Sequence, residues 1–237
     1  MNEPHISGHI SKRFDSELED LRSQVLNMGG MVEQQVADGL QCLLESDAEL
    51  AQKVAGSDCE INAREVAIDE SCVDILARRQ PAASDLRLVV AIIKTITDLE
   101  RIGDQAEKLG KFELDRIEEG SASADYAQLE NLGNRVIRML RMALDAFARL
   151  DAEAALKTIR KDNKIDREYD ALSRQLITRM MEDPRNIRNA LRVSWCARAL
   201  ERIGDHAGNI CEYVIFLVRG KDIRHVDYKE MKKQLKS

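Results

Sequence analysis

The chain has 237 residues, enough to bury a sizeable core as one large domain or two small ones. Prolines stand only at 4, 81 and 184, aromatics make up 4%, and Ala, Leu, Glu, Arg and Lys abound, which favours helix and argues against strand-rich folds. The net charge is -6, from 36 basic and 42 acidic residues, and no strongly basic block precedes the short C-terminal tail, so direct binding to a nucleic-acid backbone is not expected.

Apolar residues recur every three to four positions over 16–44, 47–79 and 84–118, and again over 125–150, 151–182 and 186–219, predicting six helices. Pro81 and Pro184 end the second helix of each set, Gly120-Ser121-Ala122-Ser123 reads as a linker, and Gly220 stops the last helix. Met28-Gly29-Gly30 marks a weak point, with a kink expected. Helices of roughly 30 residues are about 45 Å long and pack antiparallel when joined by short loops. The predicted fold is therefore all-α, a tandem repeat of two antiparallel three-helix bundles over 1–119 and 120–220, followed by a charged tail at 221–237.

The five cysteines, at 42, 59, 72, 196 and 211, are scattered and never spaced CxxC, which argues against a disulfide framework or zinc knuckle and fits a reducing cytoplasm. Those at 59, 72, 196 and 211 read as small core residues. The stretch MNEPHISGHISKRF has no apolar h-region, and no segment reaches the length of a membrane span, so a cytoplasmic location is expected.

The duplication is explicit in Leu99-Glu100-Arg101-Ile102-Gly103-Asp104, which recurs as Leu200-Glu201-Arg202-Ile203-Gly204-Asp205, an offset of 101. That offset also sets Glu65 and Asp69 over Asp166 and Asp170. At 100° per residue, Val89, Ile92, Ile96, Leu99 and Gly103 form an apolar stripe with Glu100 and Asp104 on its flank. Glu65 and Asp69 lie within or beside the stripe of the preceding helix, Asp166 and Asp170 do the same in the second repeat, and Asp58 and Asp162 precede them. Lys94, Asp98, Arg101, Gln105 and His206 project to the solvent side, and His206 reads as a surface residue.

Each repeat thus points two acid-x-x-x-acid pairs, Glu65/Asp69 with Glu100/Asp104 and Asp166/Asp170 with Glu201/Asp205, at one apolar groove. Carboxylates crowded there must protonate, pair with Arg or Lys, or bind cations. A single such pair is more often half of a salt bridge, and Arg79 falls near the same stripe. Repetition on two helices of both repeats favours ligation, and oxygen donors suit Mg, Ca, Mn or iron. Trp195 and the four tyrosines are too few to stack bases and read as packing or partner contacts.

At these residues the sequence resembles the PhoU family. The resemblance is carried by Glu65–Asp69, by Arg78–Arg87 with its Arg-Gln-Pro core, by Asp98–Asp104, by Leu200–Ile210 and by the closing Glu212–His225, and spans nearly the whole chain. It implies a cytoplasmic negative regulator, binding metal (Mg, Mn, Fe or Zn) at the acidic motifs and tending to dimerise. Its implied partners are the ATPase subunit of the phosphate ABC transporter, of the PstB type, and the phosphate-sensing histidine kinase, of the PhoR type. Two other readings compete. A di-iron carboxylate enzyme would carry Glu-x-x-His, which occurs nowhere in the chain, and no nucleophile elbow, P-loop or HExxH motif is present. A helical scaffold without metal would pair its acids with arginines.

Overall fold

The computed structural model describes residues 12–120, 126–223 and 226. Among them are seven α-helices: α1 (Lys12–Glu45), α2 (Ala48–Ala55), α3 (Asp58–Arg79), α4 (Ala83–Glu118), α5 (Ala127–Arg149), α6 (Ala152–Glu182) and α7 (Ile187–Arg219). A 3-10 turn at Pro184–Asn186 leads into α7. With α2 and α3 counted as one pass, these are six long passes in two consecutive three-helix bundles. Linker residues 121–123, the helix start expected at 125 and most of the tail lie outside the described residues.

The second pass begins with an aspartate cap in both repeats. Asp47 accepts a hydrogen bond from the Leu50 N–H at 3.0 Å, and Asp151 accepts from Glu153 and Ala154 at 3.0 and 2.8 Å. The expected continuous helix over 47–79 is then interrupted: the Gly56 N–H bonds to the Lys53 carbonyl, and the Ser57 hydroxyl donates to the Val54 carbonyl. Counting from the caps, the second repeat has Arg160-Lys161 where the first has Gly56-Ser57, and these better helix formers keep α6 unbroken.

α1 continues without a break through Met28-Gly29-Gly30, where the sequence marks a weak point. Gly29 makes room for the other repeat, since a Cβ there would stand 2.6 Å from Leu144 Cδ2. Gly133 reciprocates, a Cβ meeting Leu40 Cδ2 at 2.6 Å. Gly110 is tighter still, because a Cβ would lie 2.8 Å from the Ala51 carbonyl oxygen and 3.0 Å from the Ala55 nitrogen, both backbone atoms of α2. Gly110→Ala is therefore expected to destabilise by about 1–3 kcal/mol through overpacking. Gly30 has nothing within 4 Å, so Gly30→Ala should stabilise by about 1 kcal/mol through helix propensity. Urea unfolding of the two variants checks the opposite signs.

The repeats share one apolar core that includes Leu18, Val25, Val36, Leu99, Leu140, Phe147, Leu200 and Val214. α4 packs along α7 and α1 against α5. This pairing overturns the expected solvent face of α4. Asp98 is 2% exposed and His206 6%, and His206 Nδ1 lies 2.6 Å from Asp98 Oδ1. Asn209 Nδ2 donates to Oδ1 of Asp98 at 3.2 Å, and the Tyr213 hydroxyl donates to its Oδ2 at 2.7 Å. Lys94 Nζ sits 5.5 Å from the ring centroids of both Tyr213 and Phe216. Arg101 remains exposed as expected, and Gln105 is half-buried. The face opposite the bundle core was read as solvent because it is polar, but the second repeat supplies its polar partners.

Candidate metal centre

The glycine contacts fix how the repeats superpose. Gly29 and Leu40 correspond to Gly133 and Leu144, a spacing of 104, which also relates Asp47 to Asp151. Ile61 packs on Gly103 as Ile165 packs on Gly204, so α3 and α6 are again related by 104 while α4 and α7 keep 101. Three fewer residues separate Ile165 from Gly204 than separate Ile61 from Gly103. In this register Asp162 corresponds to Asp58 and Asp166 to Asn62, whereas Glu65 and Asp69 fall at Tyr169 and Ser173. The superposition of Glu65/Asp69 on Asp166/Asp170 expected from the uniform offset is thereby corrected.

Asp162 and Asp166 are one turn apart on α6, and Asp205 reaches them from α7; their ligand atoms lie within 4.8 Å of one another. Gly204 permits this approach. A Cβ on it would stand 3.2 Å from Ile165 Cδ1 and 3.5 Å from Asp162 Oδ1. Burial, then the charges of Asp166, Asp205, Glu201 and Glu212, push the Asp162 carboxyl up to about 7. Asp166 is raised by burial, Asp205 and Asp170. Glu201, one turn before Asp205, is raised by burial and Asp205, with Arg198 opposing. Arg198 Nη1 bonds Glu201 Oε1 at 2.7 Å, a partial salt bridge at the rim. Asp162 Oδ1 and Glu201 Oε2 are buried without a hydrogen-bond partner. Anionic oxygens converging with too few donors fit a hard cation.

Among the described residues this is the one such group of three. Asp170 is exposed one turn beyond Asp166. In the first repeat Glu100 and Asp104 are half-buried on α4, Glu65 is half-buried and Asp69 exposed on α3, and the side chain of Asp58 lies outside the described residues. Arg79 is engaged by Glu17, with bonds of 2.9 and 2.7 Å. Cys59 is exposed, against the expected core position, whereas Cys72, Cys196 and Cys211 are buried. Trp195 is half-exposed and stacks on Phe112 at 5.8 Å. Glu212, which bears on Asp162 from α7, was not singled out from sequence, although it lies one heptad beyond Asp205 on the same face.

A model of the family described as PhoU domain matches residues 25–112 and 129–214, the second segment containing Asp162, Asp166, Glu201 and Asp205. The chain belongs to the PhoU family. It is 50% identical over 237 residues to the phosphate-specific transport system accessory protein PhoU homolog of Pseudomonas aeruginosa, covering 100% of this chain and 98% of that one. Against the PhoU accessory protein of Escherichia coli K12 the identity is 48% over 235 residues, 99% of this chain and 97% of that one. The crystal structure of PhoU from Pseudomonas aeruginosa is similar with a TM-score of 0.85 and 52% identity, over 88% of this chain and 100% of that one. The phosphate transport system regulatory protein PhoU from Streptococcus pneumoniae gives a TM-score of 0.81 and 33% identity, over 89% of this chain and 99% of that one. PhoU family proteins are regulatory and non-catalytic. No helix among the described residues is long and apolar enough to cross a membrane.

Proposed function

We propose that this chain is a negative regulator of phosphate uptake and of the phosphate-starvation regulon. It works in the cytoplasm as a metal-binding adaptor, in a dimer, between the ATPase subunit of the phosphate ABC transporter and the phosphate-sensing histidine kinase. The observation that supports this reading most is full-length similarity to proteins named as phosphate-specific transport system accessory proteins.

Asp162, Asp166, Glu201 and Asp205 would hold the cation in the second repeat, and Glu100 and Asp104, with Asp58 by register, in the first. A divalent or iron cation there supplies positive charge to a set of oxygens that otherwise repel across the α6–α7 contact. The site lies on the α6–α7 contact, so a bound cation would add to the apolar packing that already holds the two helices together. Proton uptake at Asp162 competes with cation binding for the same oxygens.

Deleting the gene in its own bacterium is expected to switch on phosphate-starvation genes in phosphate-rich medium, with plasmid-borne protein restoring silence. A reporter that stays phosphate-responsive in the deletion strain would refute the regulatory assignment.

A further inference from the structure

The 104-residue register superposes two surface pockets of opposite chemistry. Between α1 and α3 a pocket of about 490 Å³ is lined in part by Met31, Gln34, Ser57, Glu60 and Ile61. Between α5 and α6 the corresponding residues are Arg135, Arg138, Lys161, Lys164 and Ile165, and they line a pocket of about 160 Å³. Ile is retained at the floor, and the other four positions have become cations.

We propose that the α5–α6 pocket binds a small oxyanion of the inorganic phosphate class. Four positive side chains surround one concavity in a chain whose net charge is -6. Arg135 Nε engages Glu168 at 2.6 Å. Lys161 Nζ is directed at Met142 Sδ, 2.7 Å away, a weak acceptor. Among the described residues Arg138 and Lys164 meet no carboxylate, although surface arginines nearby are matched, as Arg141 is by Glu33 at 2.5 Å. Like charges held together repel one another, and an anion between them removes that cost. Guanidinium forks and lysine ammonium groups both donate to phosphate-type oxygens. The volume is about half the lower end of the roughly 300–1,000 Å³ range of drug-sized sites, which suits a tetrahedral anion with water. The pocket is distinct from the acidic site, for α6 turns Lys161 and Lys164 toward α5 and Asp162 and Asp166 toward Asp205 on α7, with Ile165, packed on Gly204, between the two.

The test is titration of the chelator-treated full-length protein with inorganic phosphate at low ionic strength, followed by calorimetry and phosphorus NMR. The parent should bind saturably, and binding should weaken as salt is raised. The double variant Arg138→Gln/Lys164→Glu installs the first repeat's Gln34 and Glu60 at exposed positions, and its affinity should fall at least tenfold with an unchanged melting curve. Arg174→Gln, an exposed charge on α6 outside the pocket, should leave affinity within about twofold. Absence of binding at millimolar phosphate, or equal binding by the double variant, overturns the proposal. Since it does not depend on the regulatory reading, its failure leaves that reading standing.

Discussion

Asp162→Asn is expected to stabilise the metal-free protein and to weaken cation binding at least about 100-fold, more than is typical for loss of a ligand's outer-shell partner. Asn keeps the shape and one acceptor but removes the charge that Asp166, Asp205, Glu201 and Glu212 oppose. After discounting for the solvent that still reaches the site, the gain should be on the order of 1 kcal/mol, or about 2–4 °C in melting temperature for a chain of this length. The pH dependence follows. Asp162 takes up its proton at about 7 when folded and near 3.8 when unfolded, so between those values the folded state holds more protons. Metal-free stability must then fall as pH rises through this window and return on acidification. Melts in chelator from pH 8 down to pH 5 should show that rise in the parent and a flatter profile in the variant. If Asp162 were the anion of a salt bridge, the variant would melt lower in chelator and the parent would lose stability in acid.

Asp98→Ala should be among the most damaging polar substitutions. It removes the acceptor shared by Asn209 and Tyr213 and the partner of His206, all inside the contact between α4 and α7. With the Asp98 and His206 side chains only 3% and 7% exposed, water cannot replace the lost partner, and a loss of about 3–5 kcal/mol is expected. Asp98→Asn, which keeps one acceptor, should cost less. Urea titration of both variants checks the order, and a cost below about 1 kcal/mol for Asp98→Ala would mean that the cluster does not clasp the repeats.

Much of this architecture was legible in the sequence because its signals are local. Asp47, Asp151, Pro81 and Pro184 mark helix ends by backbone chemistry, and the Leu99–Asp104 repeat announces the duplication. The acids at 162, 166, 201 and 205 were legible too, since each lies on or beside an apolar stripe. The partner of a polar helix face was not. Asp98 and His206 look like surface residues on any single helix, and only the packing of α4 on α7 buries them. Register across the duplication was misjudged for a similar reason. The motif in α4 and α7 gives 101, but the chain is three residues shorter between Ile165 and Gly204 than between Ile61 and Gly103, which puts the earlier helices at 104, and the signs of this were the caps Asp47 and Asp151 and the isoleucines Ile61 and Ile165. Carrying 101 into α3 and α6 pairs Glu65 and Asp69 with Asp166 and Asp170, whereas the packing pairs Asp58 and Asn62 with Asp162 and Asp166.

The cation-loaded α6–α7 site is tested most directly by calorimetric titration of chelator-treated protein with Mn and Mg near neutral pH, in parallel with Asp162→Asn/Asp205→Asn. The parent should bind saturably with release of protons, because the raised Asp162 carboxyl must ionise to ligate. The double variant should lose the α6–α7 share of that binding with its proton release, keeping at most what the first repeat takes up, while folding normally. If the parent takes up neither these ions nor iron or zinc, or if the double variant binds them equally well, the acids of α6 and α7 are not a metal site.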